Sequence, residues 1–559
     1  MGKRSREEED EAAAKERPTK CTRSSTDDLL SKLSDELILR VLAFLPVSQL
    51  AVCQRLSSKY HTLAGDSQIW KSHYYNRFVR PRASRLPGLK ELDDSSHSLH
   101  FASKASRWLD DEHLVERGRK TNWKRQYKLR HNWTKGTCAV NEIPVAEEAA
   151  VPPLLVQMHD GIIYMADQTD GLRAWTAQGE RKLIAQRAFE KDHGPPTALA
   201  IDTQQHPEPT STLLVGFQDG AFAMYALQVD EEKFVPRYGH EASSNGVVSA
   251  VAVAYPYAVT MTATHLMSLY RFSRQADKAE TEMLDPPRLL YSLKSHNVWP
   301  PLSTSLRKSE RNITISIAYA LPTYLSGWTV GIQEVKLDLT GKLLDSRLAS
   351  AIDQHYRPLA FSLPPMMQHL PLPVSGSLAT ATMMEMRHIH SKPTSLSYTH
   401  PYLLVSHPDN TLTLYLVTSN TESLCISAGS RLWGHTSSVS GAHVAARGKA
   451  VSVSRRGDEL RVWELEGGFA STAARKRLAS GELSVQIRAE KRVMHEAAQA
   501  GLDLTSVGSA APDKADDGTE DGAAELTLTR GWIGFDDEQV VVLKERSGGR
   551  QALVVYDFT

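Results

Sequence analysis

From residue 137 to residue 559 the apolar residues come in short runs, each cut off by Gly, Asp, Asn or Pro. Seven clusters follow one another: Leu154–Thr176, Thr197–Leu227, Val247–Phe272, Ile313–Leu337, Leu396–Val417, Val439–Leu465 and Trp532–Phe558. Runs this short, bounded by turn residues, predict strands rather than helices. Several share one tempo, in which an apolar strand meets a polar turn and a second strand closes on an aromatic. Leu214 to Phe217, Gln218-Asp219-Gly220 and Phe222 to Tyr225 form one such unit; Leu403 to Ser406, Asp409-Asn410 and Leu412 to Tyr415 form another. A unit of this size cannot bury both of its faces alone. The repeat therefore predicts an all-β propeller, with seven blades expected, whose ring closes when the C-terminal strands pair with the stretch Ala139–Val145.

The 423 residues after Gly136 give about 60 per blade, against 40–45 in a compact repeat, so insertions are required. Two segments supply them. Residues 345–395 hold Pro364, Pro365, Pro371 and Pro373 and the cluster Met383-Met384-Glu385-Met386, expected to pack as a loop; residues 470–525 end in a stretch with six acidic residues and no aromatic, expected to be a disordered excursion.

The N-terminal part reads differently. Residues 1–28 are charged and polar, and cannot bury enough surface to offset their ordering entropy. Their basic clusters, Lys3 to Arg6 and Lys15 to Lys20, serve equally as a nuclear address or a solvating tail. No window approaches 18 consecutive apolar residues and the first residues do not form a signal-peptide core, so an intracellular protein of nucleus or cytoplasm, with no membrane span, is expected. The cysteines Cys21, Cys53, Cys138 and Cys425 form neither a disulfide framework nor a metal pair. Without a secretory route the sequons at Asn132 and Asn312 carry no meaning.

From Leu30 the apolar residues step by three and four through Leu33, Leu37, Val41 and Leu45, widened by Ile38 and Leu42: an amphipathic helix, with Ser34 placed to cap it and Pro46 to end it. Three short helices follow, around Leu50 to Leu56, Tyr60 to Leu63 and Ile69-Trp70, in a domain too small to hold much stability alone. Leu33-Ser34-Asp35-Glu36-Leu37, Leu42 to Pro46, Leu50 and Asp66 to Lys71 together resemble an F-box, assigned here to residues 29–78. Ser34 stands where the usual first Pro would be, and Ile69 replaces the last Leu. Residues 79–135 then form a connector with 14 Lys or Arg against seven Asp or Glu, ending in a helix with Trp123, Tyr127 and Trp133. Basic residues interleaved with aromatics suit RNA stacking, but helical spacing favours aromatics turned inward and charges outward. The ending Asn132-Trp133-Thr134-Lys135-Gly136 also resembles the segment that joins an F-box to a WD-repeat propeller.

One β unit has the form of a WD repeat: Gly434-His435, Ser438-Val439, Val451 to Ser454, Gly457-Asp458 and Leu460 to Leu465. The resemblance implies a buried structural hydrogen-bond chain through His435, Ser454, Asp458 and Trp463, with Asp458 one place closer to Trp463 than the pattern. The other six units are degenerate. The whole resembles the F-box/WD-repeat proteins, as a divergent fungal-type member, with the propeller spanning residues 136–559.

That resemblance implies a non-catalytic substrate receptor of a Skp–cullin–F-box ubiquitin ligase. Leu33, Leu37, Ile38, Leu42, Leu45, Pro46 and Leu50 are then the candidates for docking a Skp-family adaptor, and through it a cullin; internal helical core is the competing role for each. Arg455 and Arg456, in a turn between blade strands, are the candidates for holding an acidic or phosphorylated protein substrate destined for proteasomal degradation. No nucleophile elbow, phosphate loop, zinc helix or dinucleotide fingerprint occurs, and His388-Ile389-His390 lacks a third metal ligand, so neither enzyme chemistry nor a cofactor is expected. Equal numbers of basic and acidic residues, 65 of each, argue against a nucleic-acid partner held by a global field. The competing class is a propeller scaffold of a nuclear complex, independent of ubiquitin ligation.

Overall fold

The computed structural model divides into two compact units, residues 1–127 and 128–559. It describes residues 33–80, 121–179, 182–190, 193–204, 210–273, 283–295, 298–323, 327–351, 391–420, 423–445, 448–457, 459–465, parts of 477–489, 528–546 and 549–559. The charged tail with Cys21, Leu30, the connector from 81 to 120, the Pro-rich and Met-rich stretch with His388 and His390, the acidic stretch 509–525 and Asp458 lie outside the described residues.

The first unit is helical. Helices α1 (Asp35–Leu42), α2 (Val47–Cys53), α3 (Ser58–Leu63) and α4 (Ser67–Tyr74) are followed by a π-helical turn, Tyr75–Val79. Their ends follow from capping chemistry. Pro46 takes the N-cap position of α2, Ser57 Oγ accepts from the Tyr60 amide of α3, and Asp66 Oδ1 accepts from the Gln68 and Ile69 amides of α4. Ser34 occupies the N-cap position of α1 in an extended conformation, without a side-chain capping bond.

Ile38, Leu42, Leu50, Ala64 and Ile69 form the small core of these helices. A second cluster joins Trp70, Tyr74 and Val79 to Trp123 and Tyr127, the opening turns of helix α5 (Trp123–Lys135). Trp70 meets Tyr127 edge-on at 5.5 Å and donates its indole N–H to the Ala64 carbonyl at 2.8 Å. Arg77 donates to the Tyr127 hydroxyl at 2.5 Å, and Lys124 to Gln54 at 2.8 Å. The connector's aromatics are thus buried, and the helical unit ends at Tyr127, inside that connector.

The second unit is a seven-bladed propeller. Six blades are antiparallel sheets read in sequence order from the inside out, at 155–187, 196–240, 248–294, 299–350, 395–432 and 439–486. Each first strand lies beside the next, and that of the seventh blade lies beside that of the first, which closes the ring. The seventh blade takes Leu528–Phe535, Gln539–Glu545 and Gln551–Asp557 from the C-terminus and its fourth strand, Thr137–Ala146, from the start of the domain, with the short parallel strand Arg488–Ala489 beyond it. Ala139 pairs with Asp557, Asn141 with Val555 and Ile143 with Leu553, the closure expected from the sequence.

There is no single core. Seven apolar clusters each fill one seam between neighbouring blades, for example Leu404, Leu412 and Leu432 against Val439, Ala450 and Trp463. Each blade therefore depends on two neighbours, which is why one WD-like unit and six degenerate ones still make one ring. The motif before the propeller has a physical reading. Asn132 donates to the Phe558 carbonyl at 2.7 Å, Trp133 to the Asp537 carbonyl at 2.7 Å, and Lys449 lies over the Trp133 ring at 4.0 Å. Gly136 turns the chain at φ +69°, where a Cβ would stand 2.4 Å from the Gln486 carbonyl oxygen.

Candidate functional site

The helical unit exposes apolar side chains along α1. Leu33, Leu37, Val41 and Phe44 recur at four- and three-residue steps, and all four are exposed, Leu37 by 52% and Phe44 by 82%. Val52 and Leu56, four residues apart at the end of α2 and beyond it, are exposed as well. Side chains of this size exposed together on so small a unit favour a partner, since each would gain roughly 1.5–3 kcal/mol from full burial.

The seven docking candidates read from the sequence therefore divide. Leu33, Leu37 and Pro46 are exposed. Ile38, Leu42 and Leu50 are instead buried in the helical core, and Leu45, half-buried, packs against it. Ile38 and Leu42 point inward because α1 is apolar on two sides and only one side can be turned to the partner helices, while Leu45 and Leu50, beyond α1, pack on the same core. Val41, Phe44, Val52 and Leu56 take places on the surface that spacing alone did not assign.

The polar residues of the WD-like blade meet in one buried chain. Trp463 donates its indole N–H to Ser452 Oγ at 2.8 Å, and the same hydroxyl lies 2.6 Å from His435 Nε2. The other ring nitrogen, Nδ1, stands 3.5 Å from Glu459 Oε2, which accepts from the Thr436 amide at 2.8 Å. Arg461 donates to Glu459 Oε1 at 2.7 Å. His435 and Trp463 meet as expected, and Asp458 lies outside the described residues. Ser452 stands where Ser454 was expected, the Ser454 hydroxyl instead accepting from the Glu459 amide at 3.1 Å, and Glu459 contributes a carboxylate. Ser452 and Ser454 share one face of their strand, so the repeat pattern does not separate them.

These groups serve the blade. His435, Ser452, Glu459 and Trp463 are buried, and the chain ties the link into blade six to its second and third strands. Polar groups are tolerated there because they satisfy one another.

Arg455 and Arg456 sit exposed in the turn between the second and third strands of that blade, where the sequence placed them, and the Arg455 amide donates to the Ser438 carbonyl at 2.8 Å. Among the described residues, no group of three His, Cys, Asp or Glu could hold a metal ion, and no helix is long and apolar enough to cross a membrane.

Two family models agree with this architecture. The F-box domain model matches residues 30–72. The F-box protein dre-1 of Caenorhabditis elegans is 30% identical over 83 residues, 15% of this chain and 8% of that protein. Among solved structures, the WD40 propeller of Doa1 aligns with 75% of this chain and 95% of its own at 11% identity and a TM-score of 0.34; Sqt1 of Saccharomyces cerevisiae aligns with 74% and 97% at 8% identity and a TM-score of 0.36. The family described as F-box protein pof12 beta-propeller matches residues 138–559, about three quarters of the chain. The chain therefore belongs to the F-box protein pof12 beta-propeller family.

Proposed function

We propose that this protein is the substrate-recognition subunit of a Skp–cullin–F-box ubiquitin ligase, docking on a Skp-family adaptor through its helical unit and holding a protein substrate on the propeller. The observation that carries the reading is the exposed row Leu33, Leu37, Val41 and Phe44, a surface with no evident role in the unit's own core. Catalysis in such an assembly belongs to the ubiquitin-charged enzyme. The receptor contributes proximity, turning a bimolecular encounter into a tethered one.

The test is affinity purification of the full chain with the proteasome blocked. Parent protein is expected to bring down the adaptor and cullin. The double variant Leu37→Asp, Phe44→Asp is expected to lose both while keeping the parent's thermal unfolding, because both side chains are exposed. Full recovery of both partners by that folded variant sinks the reading.

A further inference from the structure

Each blade ends in an outer strand, and the far edge of such a strand presents amides and carbonyls that can template another chain. Most of these edges are guarded. The outer strands are short in blade one (Leu183–Arg187), blade five (Leu424–Ile426 and Ser430–Leu432) and blade six (Ser484–Gln486). In blade two, Lys233–His240 contains Pro236, and the Leu284 amide donates to the Arg237 carbonyl at 2.6 Å. In blade three, Arg288–Lys294 has an exposed cation at each end. The fourth strand of blade seven contains Pro144 and is covered at Thr137 and Cys138 by Arg488–Ala489.

Blade four differs. Its outer strand, Leu343–Ser350, has eight residues, and among the described residues no strand pairs with its far edge. Leu344 is 56% exposed and Leu348 63%. The two charged side chains of the strand are turned to blade five: Arg347 pairs with Asp345 and donates to the Asn420 carbonyl at 2.6 Å.

Strand register fixes what this edge presents. The Ala351 amide donates to the Val330 carbonyl at 3.0 Å, and the register is unbroken from Ser350 opposite Gly331 to Asp345 opposite Lys336. Hydrogen-bonded pairs alternate along an antiparallel ladder, so Ala349, Arg347 and Asp345 turn their backbone groups to the third strand, and Ser346 and Leu348 turn theirs outward. Leu344 is the extra residue of a bulge, but its carbonyl also faces outward, because it lies across a trans peptide bond from the inward Asp345 amide. Ser346 stands opposite Val335, which belongs to the seam with blade three, and Leu344 and Leu348 share that face.

The segment Leu344-Asp345-Ser346-Arg347-Leu348 is complementary to its own reverse. Laid antiparallel on a second copy about Ser346, it sets leucine on leucine, serine on serine and Asp345 opposite Arg347. No like charges meet, even with each Asp345–Arg347 pair kept within its own copy. The same operation on Arg288–Lys294 about Tyr291 would set Arg288 against Lys294.

We propose that the protein self-associates through this edge, two copies pairing Leu343–Ser350 antiparallel about Ser346 so that one sheet runs through both fourth blades. The two Ser346 residues exchange amide and carbonyl bonds, each Leu348 amide donates to the Leu344 carbonyl of the second copy, and the exposed leucines cover one another. The contact is isologous, so it closes at two copies. One strand from each copy makes a small interface of the reversible class.

The experiment is sedimentation of the full-length chain from about 1 to 200 µM, a range that brackets micromolar association. The parent is expected to pass from monomer toward dimer. Leu344→Lys with Leu348→Lys sets cations opposite one another, and is expected to weaken the dimer about tenfold or more at unchanged melting temperature. A second arm treats Ser346→Cys and Leu348→Cys with a short bis-maleimide, the parent chain serving as control for its own thiols. Position 346 lies about 5.5 Å from its counterpart in the proposed register, and position 348 roughly 14 Å, so fast cross-linking is expected at 346 alone. A monomer throughout overturns the proposal, as does a dimer indifferent to the lysine pair, growth beyond two copies, or faster cross-linking at 348 than at 346.

Discussion

The indole of Trp133 stacks on the ring of Phe558 with centroids 3.9 Å apart and planes 11° from parallel. The last turn of the helix that enters the propeller is thereby packed against the penultimate residue of the chain. Trp133→Ala removes the stack, the bond to the Asp537 carbonyl and the contact with Lys449, and is expected to cost about 3–5 kcal/mol. Trp133→Phe keeps a stacking ring and is expected to lose about 1 kcal/mol with the hydrogen bond. Urea unfolding followed by circular dichroism measures both, and a parent-like midpoint for the alanine variant would refute the role.

The helical unit should separate binding from folding. Leu42→Ala opens the core and is expected to destabilise that unit by roughly 2–5 kcal/mol. Phe44→Ala lies on the surface and is expected to leave unfolding within about 0.5 kcal/mol of the parent while weakening adaptor binding. Hydrogen exchange over residues 33–80, together with adaptor affinity by calorimetry, distinguishes the two outcomes.

In blade six, Ser452→Ala is expected to destabilise more than Ser454→Ala. The first leaves both the Trp463 N–H and a His435 nitrogen without their partner in a buried site, at about 1–3 kcal/mol for each unmet group; the second removes an acceptor from one backbone amide. Equal denaturant midpoints for the two variants would show that the chain through Ser452 is not the stabilising one.

Asp536, in the turn between the first two strands of blade seven, has its carboxyl pushed up to about 6 by burial, against the opposing pull of the Glu538 and Gln539 amides. The folded state then keeps a proton that the unfolded chain, near 3.8, has already released. Stability falls as pH rises through the window between these values, and the cost persists at neutral pH. Asp536→Asn keeps an oxygen to accept from the two amides without the charge. It is expected to raise the melting temperature at pH 7 and to leave it unchanged below pH 4; a lower melting temperature at pH 7 would contradict the assignment.

Much of the fold was legible because the turn residues that cut the chain into strand clusters are the residues that turn it in space. The runs beginning at Leu154, Thr197 and Val247 fall in blades one, two and three, and Ala139–Val145 seals the ring as expected. Register and facing were harder to read. Ser452 and Ser454 are two residues apart on one strand face, and only the packing of His435 and Trp463 selects the first. On α1, Leu37 and Ile38 are adjacent and equally apolar. The choice of which faces outward is made by Leu50, Ala64 and Ile69 from other helices, which spacing within one helix does not contain.

The fourth strand of the last blade comes first in the propeller and the three strands inside it come last. Until residues 551–557 join it, Thr137–Ala146 is paired only through Thr137 and Cys138, with the short strand Arg488–Ala489. A product truncated before that point would keep open strand edges at the seam, a hazard for aggregation and a mark for disposal. The pairing of Ala139 with Asp557 thus acts as a clasp between the first and last strands of the propeller: the ring seals only when both are present.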